Sequence, residues 1–544
     1  MKFTRWVAKL SYPKNLLNEI IKARGIKDRE TFLNPEYNSL CSSRVLKGLS
    51  KAALIIKETI KNGGKIGIFC DYDADGVCAG AIIYKAIANL KGEIAYYVPE
   101  RKEGYGFNNK TADFFIKQKV KLVIMLDCGI KNHEEILMLK SASIKSIVVD
   151  HHQLPPKLPE ADAIVHPSLT NNKTNLELSG GGTAYMLARE LLGESGQEKW
   201  LIDLAAISSV ADVVPLRGDN RILVKYGLLV LEKTKNKGLL ELLKSAQISD
   251  KKLTVYDLGF VIAPRLNAAG RIAHPRDSFE LLVGESYSEN KNKANKLNDL
   301  NNIRQELLLK SVEGAIKMVE RLKLSKQNII VIKGDFEEGI VGLIASRICD
   351  KYYRPAITLS TKEIKLKGSA RSIEKINITN LIGKCEKYLL SSGGHAMAAG
   401  LTLSKNKYGS FKKEIEKLSR EFPKHYFDRI LKVDAIVKMS DLSIESVEQL
   451  EKLAPFGMGN SRPIFAILKC GITRIDTIGK NADHKKVYFK SDRIDSNCLI
   501  FNFEQKEMDF NSGDKVDIAF SASINSFNGK KSVDLIIEDV KKSR

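Results

Sequence analysis

The chain has 544 residues, more than one hydrophobic core can organise, so three or four domains are expected. Its 43% hydrophobic and 28% charged content excludes a disordered chain, and no apolar run approaches the roughly 20 residues of a membrane-spanning helix. The formal net charge of +22 favours a polyanionic partner, nucleic acid ahead of a membrane surface, with a generally basic proteome as the competing explanation.

Eight cysteines are scattered without a CxxC pair, which argues against a zinc ribbon and for buried thiols in a reducing cytosol. The opening MKFTRWVAKLSYPKN has no apolar core and no cleavage-like site. The expected location is therefore cytoplasmic, with no membrane partner.

Residues 1–50 read as a short helical lead-in. From 51 to 235, compact apolar runs (KIGIFC, EIAYYVP, KLVIML, SIKSIVV) alternate with helical stretches (GVCAGAIIYKAIANL, NHEEILMLK, TAYMLARELLG). That alternation predicts βαβ units on a parallel sheet. Residues 236–325 carry DLGFVIAPRLNAAGRIAHP and then one long connecting helix from about Glu289 to Leu322. Residues 326–425 return to strand and helix: NIIVIKG, GIVGLIASRICD, PAITLS. From 430 to 544 come short strand-like runs, PIFAILKCGI, KVYFK, NCLIFNF, KVDIAFSASI and SVDLIIEDV. Their number and length predict a small β-barrel of the OB-fold type.

The candidate chemistry lies where apolar runs end. Asp71, Asp73 and Asp75 stand in CDYDADG, Asp127 in VIMLDCG, Asp150-His151-His152 in SIVVDHH, and Asp212 in SSVADVVPL. Unpaired buried charge is costly, and hard divalent cations remove that cost by taking carboxylate and imidazole donors. In parallel sheets, ligands bind beyond the carboxyl ends of the strands, where Asp71, Asp127 and Asp150 stand. At period two, Asp71, Asp73 and Asp75 share one side of an extended segment; the competing reading is an Asp-rich turn capping a helix from residue 77. An EF-hand is excluded because Ile82 stands where the twelfth-position Glu would be. Asp127 is a candidate metal bridge. One histidine of the pair can ligate while the other reaches a phosphate oxygen, with Asp150 orienting a ring. Asp212 ends the helix LIDLAAISSVA, where a carboxylate opposes the dipole unless a cation compensates.

Together these segments resemble the DHH phosphoesterase superfamily. SSGGHAMAAG (Ser391–Gly400) resembles the glycine-rich motif of the DHHA1 domain. LSGGGTAYMLARE, ADVVPLRGDNR, IAPRLNAAGRI and LAPFGMGNSRPIF resemble the RecJ family of single-strand-specific 5′ exonucleases, in order and over nearly the whole chain past residue 50. The resemblance implies that Asp73, Asp75, Asp127, His151 and Asp212 are metal ligands, with Asp71 an additional candidate. It implies that His152 lies beside the scissile phosphate. Arg271, Ser369 and Arg371 match groups that hold a terminal 5′-phosphate; Arg101 joins them, with Lys102 the adjacent alternative. Gly393, Gly394 and His395 match substrate-contacting positions. The family's usual Trp-His before the GIVGLIASR helix is here Phe336-Glu337, which leaves Phe336 between stacking and plain packing.

The implied function is metal-dependent degradation of single-stranded DNA from a 5′-phosphate to mononucleotides, in DNA recombination and repair, with a helicase and a single-strand-binding protein as possible partners. The implied mechanism uses two Mn²⁺ or Mg²⁺ ions. One activates a water for in-line attack, and the other, with His152, stabilises charge on phosphate oxygens. The barrel would grip the strand through Lys/Arg and through Phe501, Phe503, Phe520 or Phe527, each of which singly reads first as core. The rivals are a short-oligonucleotide phosphodiesterase or type II pyrophosphatase, and a catalytically inactive DNA-binding scaffold. Phe69, standing where the pyrophosphatases carry a His, argues against them; the full set of acids and histidines argues against a scaffold.

Overall fold

The computed structural model describes residues 3–42, 45–104, 106–171, 176–479, 481–501, 503, 508–527 and 529–543. The chain divides into two compact units. One comprises residues 34–305 with 455–461, the other residues 1–33, 306–454 and 462–544.

In the first unit a five-stranded sheet runs in the spatial order Ile94–Tyr97, Ile66–Cys70, Leu122–Leu126, Lys145–Val149, Ala163–Val165, all parallel. The two central strands are buried along their whole length, as expected of a parallel sheet covered on both faces. Register matters most here. Cys70 pairs with Leu126, and Leu126 with Val149, so the next residues, Asp71, Asp127 and Asp150, leave the sheet at one level. Beyond Val165 this unit is helical. Helices Ala74–Asn89, Gly180–Leu192 and Ile202–Ala211 contribute Val77, Ala81, Tyr185, Leu187, Leu204 and Ile207 to one apolar core with the strands.

The connecting helix is a single element of 35 residues, Tyr287–Arg321. In the second unit a five-stranded sheet has the order Ser391–His395, Ala398–Ser404, Lys365–Arg371, Ala356–Ser360, Ile330–Gly334; only the last pair is parallel. The C-terminal barrel closes through Ile464–Ile478, His484–Ser491, Ile494–Ile500, Lys530–Lys542 and Lys515–Phe527, the last returning to pair with the first. A short helix, Ile444–Glu451, precedes it.

The opening of the chain departs from the helical expectation. Arg5–Ser11 is a strand, parallel to Ile430–Ile436, which in turn pairs with Ile464–Ile478. Helices follow at Leu16–Ala23 and Arg29–Leu33. The strand is fixed by partners more than 400 residues away, which local periodicity cannot report. Trp6 anchors it: the indole Nε1 donates to Asp539 Oδ2 at 2.7 Å, and Asp539 is buried. Replacing Trp6 with Phe keeps an aromatic ring, smaller than the indole, and removes the donor. We expect a loss of about 1–3 kcal/mol from the barrel transition, read as a lower urea midpoint at unchanged slope; an unchanged midpoint would show that the bond contributes nothing net.

Candidate metal centre

Asp71, Asp127 and Asp150 are buried at the mouth of the parallel sheet. Asp127 has φ +59°, the left-handed region, which a short polar side chain tolerates better than most. Asp71 pairs its N–H to Leu126 O (3.3 Å), and Asp127 its N–H to Val149 O (2.9 Å), so both backbones stay within the ladder.

Asp73 and Asp75 do not share an extended face with Asp71. The helix begins at Ala74, with Asp73 as its N-cap, accepting from the N–H groups of Asp75 (2.9 Å) and Gly76 (3.1 Å). The expectation of period two fails here because capping ends the extended segment one residue after Tyr72. Asp75 sits in the first helical turn, where the dipole favours a carboxylate. It is held by a second helix start: Gly180 N–H donates to Asp75 Oδ2 (2.8 Å), Gly181 N–H to Oδ1 (2.7 Å) and Ser208 Oγ–H to Oδ1 (2.5 Å). A Cβ on Gly180 would lie 2.7 Å from Asp127 Oδ1, and one on Gly181 would lie 2.4 Å from Ser208 Oγ, so both positions require glycine.

His151 is the hub. Its Nε2 lies 3.1 Å from Asp127 Oδ1 and 3.6 Å from Asp75 Oδ2, and its Nδ1 lies 3.6 Å from Asp212 Oδ2. Burial lowers its pKa below the usual imidazole value, so the ring is neutral and can offer a lone pair. His152 is different. Its Nδ1 stands 2.8 Å from Asp150 Oδ1, which also accepts from the N–H groups of His151 and His152, while Asp150 Oδ2 accepts from Ile130 N–H. Burial alone would raise the Asp150 pKa, but the His152 ring and these N–H groups outweigh it and hold the carboxyl well below the usual range. Burial lowers the His152 pKa, and Asp150 more than reverses this. Asp150 therefore holds the His152 ring in place, and its oxygens are already occupied.

Asp71 and Asp127 have pKa values raised by burial and then by neighbouring carboxylates, and that of Asp75 is raised by burial against the lowering effect of His151. Asp212 caps the end of helix Ile202–Ala211 with its side chain 33% exposed, and there desolvation of the carboxyl followed by Asp75 and Asp73 pushes it to about 8. Three donor sets each lie within 4.8 Å: Asp71–Asp73–Asp127, Asp75–His151–Asp212 and Asp127–His151–His152. Asp71 Oδ1 is buried and accepts no hydrogen bond from any described group. Raised carboxyl pKa values, a neutral imidazole and that orphaned oxygen describe a site that lacks positive charge. Hard divalent cations fit this donor set.

Family models match three stretches: the DHH family N-terminal domain at residues 65–209, the DHHA1 domain at 326–421 and the RecJ OB domain at 433–539. The single-stranded-DNA-specific exonuclease RecJ of Bacillus subtilis is 34% identical over 532 residues, 96% of this chain and 67% of that protein. That of Haemophilus influenzae is 30% identical over 550 residues, 96% of this chain and 95% of its own length. The chain belongs to the RecJ family. RecJ of Thermus thermophilus, solved in complex with Mn²⁺, superposes with a TM-score of 0.84 at 27% identity, covering 99% of this chain and 80% of that one. A structure of exonuclease RecJ bound to manganese gives 0.62 at 31% identity, covering 70% and 96%.

The other residues carried over from the RecJ resemblance fall into local groups. In the first unit Arg101, not Lys102, lies over the Tyr72 ring (4.5 Å) and donates through Nε to Gly270 O (3.2 Å), next to Arg271. Lys102 is exposed and paired with Glu100. In the second unit Arg371 Nη1 donates to Ser369 Oγ (2.8 Å), and Gly342 packs against both. Gly393, Gly394 and His395 form an exposed strand, with Thr379 Oγ1 donating to His395 O. Phe336 is buried in the core beside Gly334 and Ile340, so packing, not stacking, is its role; Glu337 pairs with Lys362. Phe520 is buried in the barrel and cannot stack on a base. Phe501 is 40% exposed against His484, and Phe503 is half-buried against Phe510. The Phe527 side chain lies outside the described ones.

Three features carry contacts to which the sequence alone gives no role, two of them inside the LSGGGTAYMLARE and IAPRLNAAGRI motifs. The SGGG helix start holds Asp75. Asn267 Oδ1 accepts from Ala74 N–H (2.9 Å) and so fixes the Asp73 helix. His166 is buried; it takes Ser168 N–H at Nδ1 and so donates Nε2–H to His152 O (2.7 Å). A His following an apolar strand end, as in AIVHP, was the available signal.

The raised acids give a pH prediction for metal-free protein. A carboxyl with raised pKa keeps its proton when folded at pH values where the unfolded chain has lost it, so the folded state binds more protons. Stability is full near the unfolded value of 3.8 and falls as pH rises through the Asp212 value of about 8. The raised His152 acts in the same direction, while Asp150 acts oppositely only below about pH 4. In EDTA the melting temperature should therefore fall from pH 7 to pH 8.5, and saturating Mg²⁺ should raise it more at pH 8.5. A melting temperature that climbs over this range without metal would contradict the charge account.

Proposed function

We propose that this chain is a metal-dependent exonuclease that degrades single-stranded DNA from a 5′-phosphate to mononucleotides. The observation that carries the reading is the position of Asp127. Asp127 belongs both to the set with Asp71 and Asp73 and to the set with His151 and His152, the arrangement expected of a carboxylate shared by two Mn²⁺ or Mg²⁺ ions. Bound ions would supply positive charge to the phosphate oxygens and a water acidic enough to attack at neutral pH. The residues do the rest. Gly180, Gly181 and Ser208 keep Asp75 aimed and offset part of the burial that raises its pKa. Asp150 holds the proton on His152 Nδ1, so Nε2 is the ring atom left for a phosphate oxygen or leaving group.

Terminal-phosphate recognition is assigned to Arg271 with Arg101 in the first unit and to Arg371 with Ser369 in the second. Guanidinium forks suit a dianionic phosphate. The RecJ-type barrel supports the long-strand reading over a short-oligonucleotide phosphodiesterase, and the intact acid set supports an enzyme over a scaffold. The reading puts the enzyme in the cytoplasm, where free thiols stay reduced, and in recombination and repair, with a helicase and a single-strand-binding protein presenting its strand. Among the described residues no helix is long and apolar enough to cross a membrane.

The direct test is a 3′-labelled, 5′-phosphorylated strand, single or in duplex, with Mn²⁺, Mg²⁺ or EDTA. Progressive shortening of the single strand alone, stopped by EDTA, is expected; internal cuts or equal attack on duplex would refute the reading. For polarity, Arg271→Ala or Arg371→Ala should lose roughly 1.5–3 kcal/mol on 5′-phosphorylated strands and little on 5′-hydroxyl strands. Single-turnover rates on the two strands check this, and an equal fractional loss on both would assign these arginines to backbone binding or folding.

A further inference from the structure

The two most exposed aromatic side chains among the described residues are neighbours. Tyr256 is 64% exposed and Phe260 68%, and their rings stack at 4.9 Å with 22° between planes. They lie one turn apart at the start of the π-helical segment Asp257–Ile262. Its inner face is fixed: Leu258 and Ile262 are buried, and Asp257 accepts from Lys251 Nζ (2.5 Å) and from Thr254 N–H and Oγ1–H (both 2.9 Å). The rings therefore stand out from a rigid base. Leaving two aromatic rings in water forfeits burial energy that a purely structural residue would use.

Their location gives the pair a task. The segment packs on the helix that ends in Asp212: a Cβ on Gly259 would lie 3.2 Å from Val210 Cγ1. Along the same rim lie Val213, 58% exposed and next to Asp212, and Met458, 56% exposed, whose carbonyl accepts from Leu216 N–H at 2.8 Å. Val255 and Leu216 meet at Gly457. An apolar and aromatic rim thus runs from the metal centre to Tyr256 and Phe260, with Lys251 and Lys252 exposed beside it. Outward aromatic faces flanked by lysines suit the bases and backbone of a single strand.

We propose that Tyr256 and Phe260 form a stacking platform for a nucleobase of the strand whose phosphodiester lies at the metal centre. This rests on the exonuclease reading above. Stacking takes any base, which suits an enzyme that must pass every sequence.

The test uses the full chain in EDTA, so binding is read without hydrolysis. Affinity for a 5′-phosphorylated single strand should fall at least about tenfold in the double variant Tyr256→Ala/Phe260→Ala. Leu229→Ala, on another exposed surface, is the control and should bind as wild type. A strand carrying 5-iodouracil at successive positions, irradiated with the wild type, should cross-link to Tyr256 or Phe260 from one narrow range of positions. Wild-type affinity in the double variant, or cross-links that never map to either ring, would overturn the platform while leaving the exonuclease reading in place if the wild type shortens single strands with Mn²⁺. A wild type that neither binds nor shortens single strands would bring both down.

Discussion

Mutual repulsion among buried carboxylates is the constraint on which this structure turns. Asp71, Asp75 and Asp127 are buried together, and Asp73 and Asp212 border them. Without compensation, such a group protonates or pushes its members into water. The fold answers with fixed partial charges. Two helix starts converge on the acids: Asp73 caps one, and the other directs the Gly180 and Gly181 N–H groups at Asp75. These dipoles offset only part of the charge, as the upward pKa shifts of Asp71, Asp75, Asp127 and Asp212 record. The remaining deficit is what a divalent cation would fill.

The same constraint explains the rigidity of the histidine pair. Two rings 4.6 Å apart sit in opposite surroundings. His151 faces three acids and stays neutral, whereas His152 is turned by Asp150 and tethered through its carbonyl by His166. A one-residue slip in the Leu126–Val149 register would send Asp127 and Asp150 to the wrong faces. The parallel sheet thus keeps apart the two rings that the proposed reading makes ligand and acid–base group.

Much of this was legible in the sequence because it is local. An acid directly after a buried apolar strand marks the carboxyl edge of a parallel sheet, and Asp71, Asp127 and Asp150 all follow that pattern. The 35-residue helix announces itself by length and the barrel by its succession of apolar strand-like runs, although three of its strands reach 13 to 15 residues and so exceed the short runs expected. What stayed hidden depends on distant pairing or on backbone groups. Arg5–Ser11 becomes a strand only beside Ile430–Ile436. Asp75 sits on a helix because Asp73 caps it; the capping alternative names that device but starts the helix at residue 77, and the structure starts it at Ala74. The amides of Gly180 and Gly181 carry no side-chain signature. Phe336 and Phe520 are aromatic in composition and core in fact, since burial depends on neighbours the local pattern does not name.

The central claim is that Asp127 is shared by two cations. Electron paramagnetic resonance of the protein titrated with Mn²⁺ tests it without reference to turnover. Two ions per chain with an exchange-coupled spectrum are expected, and Asp127→Asn should abolish the coupling while leaving the fold intact. A single uncoupled ion at saturation in the wild type, or coupling that survives Asp127→Asn, would contradict the account.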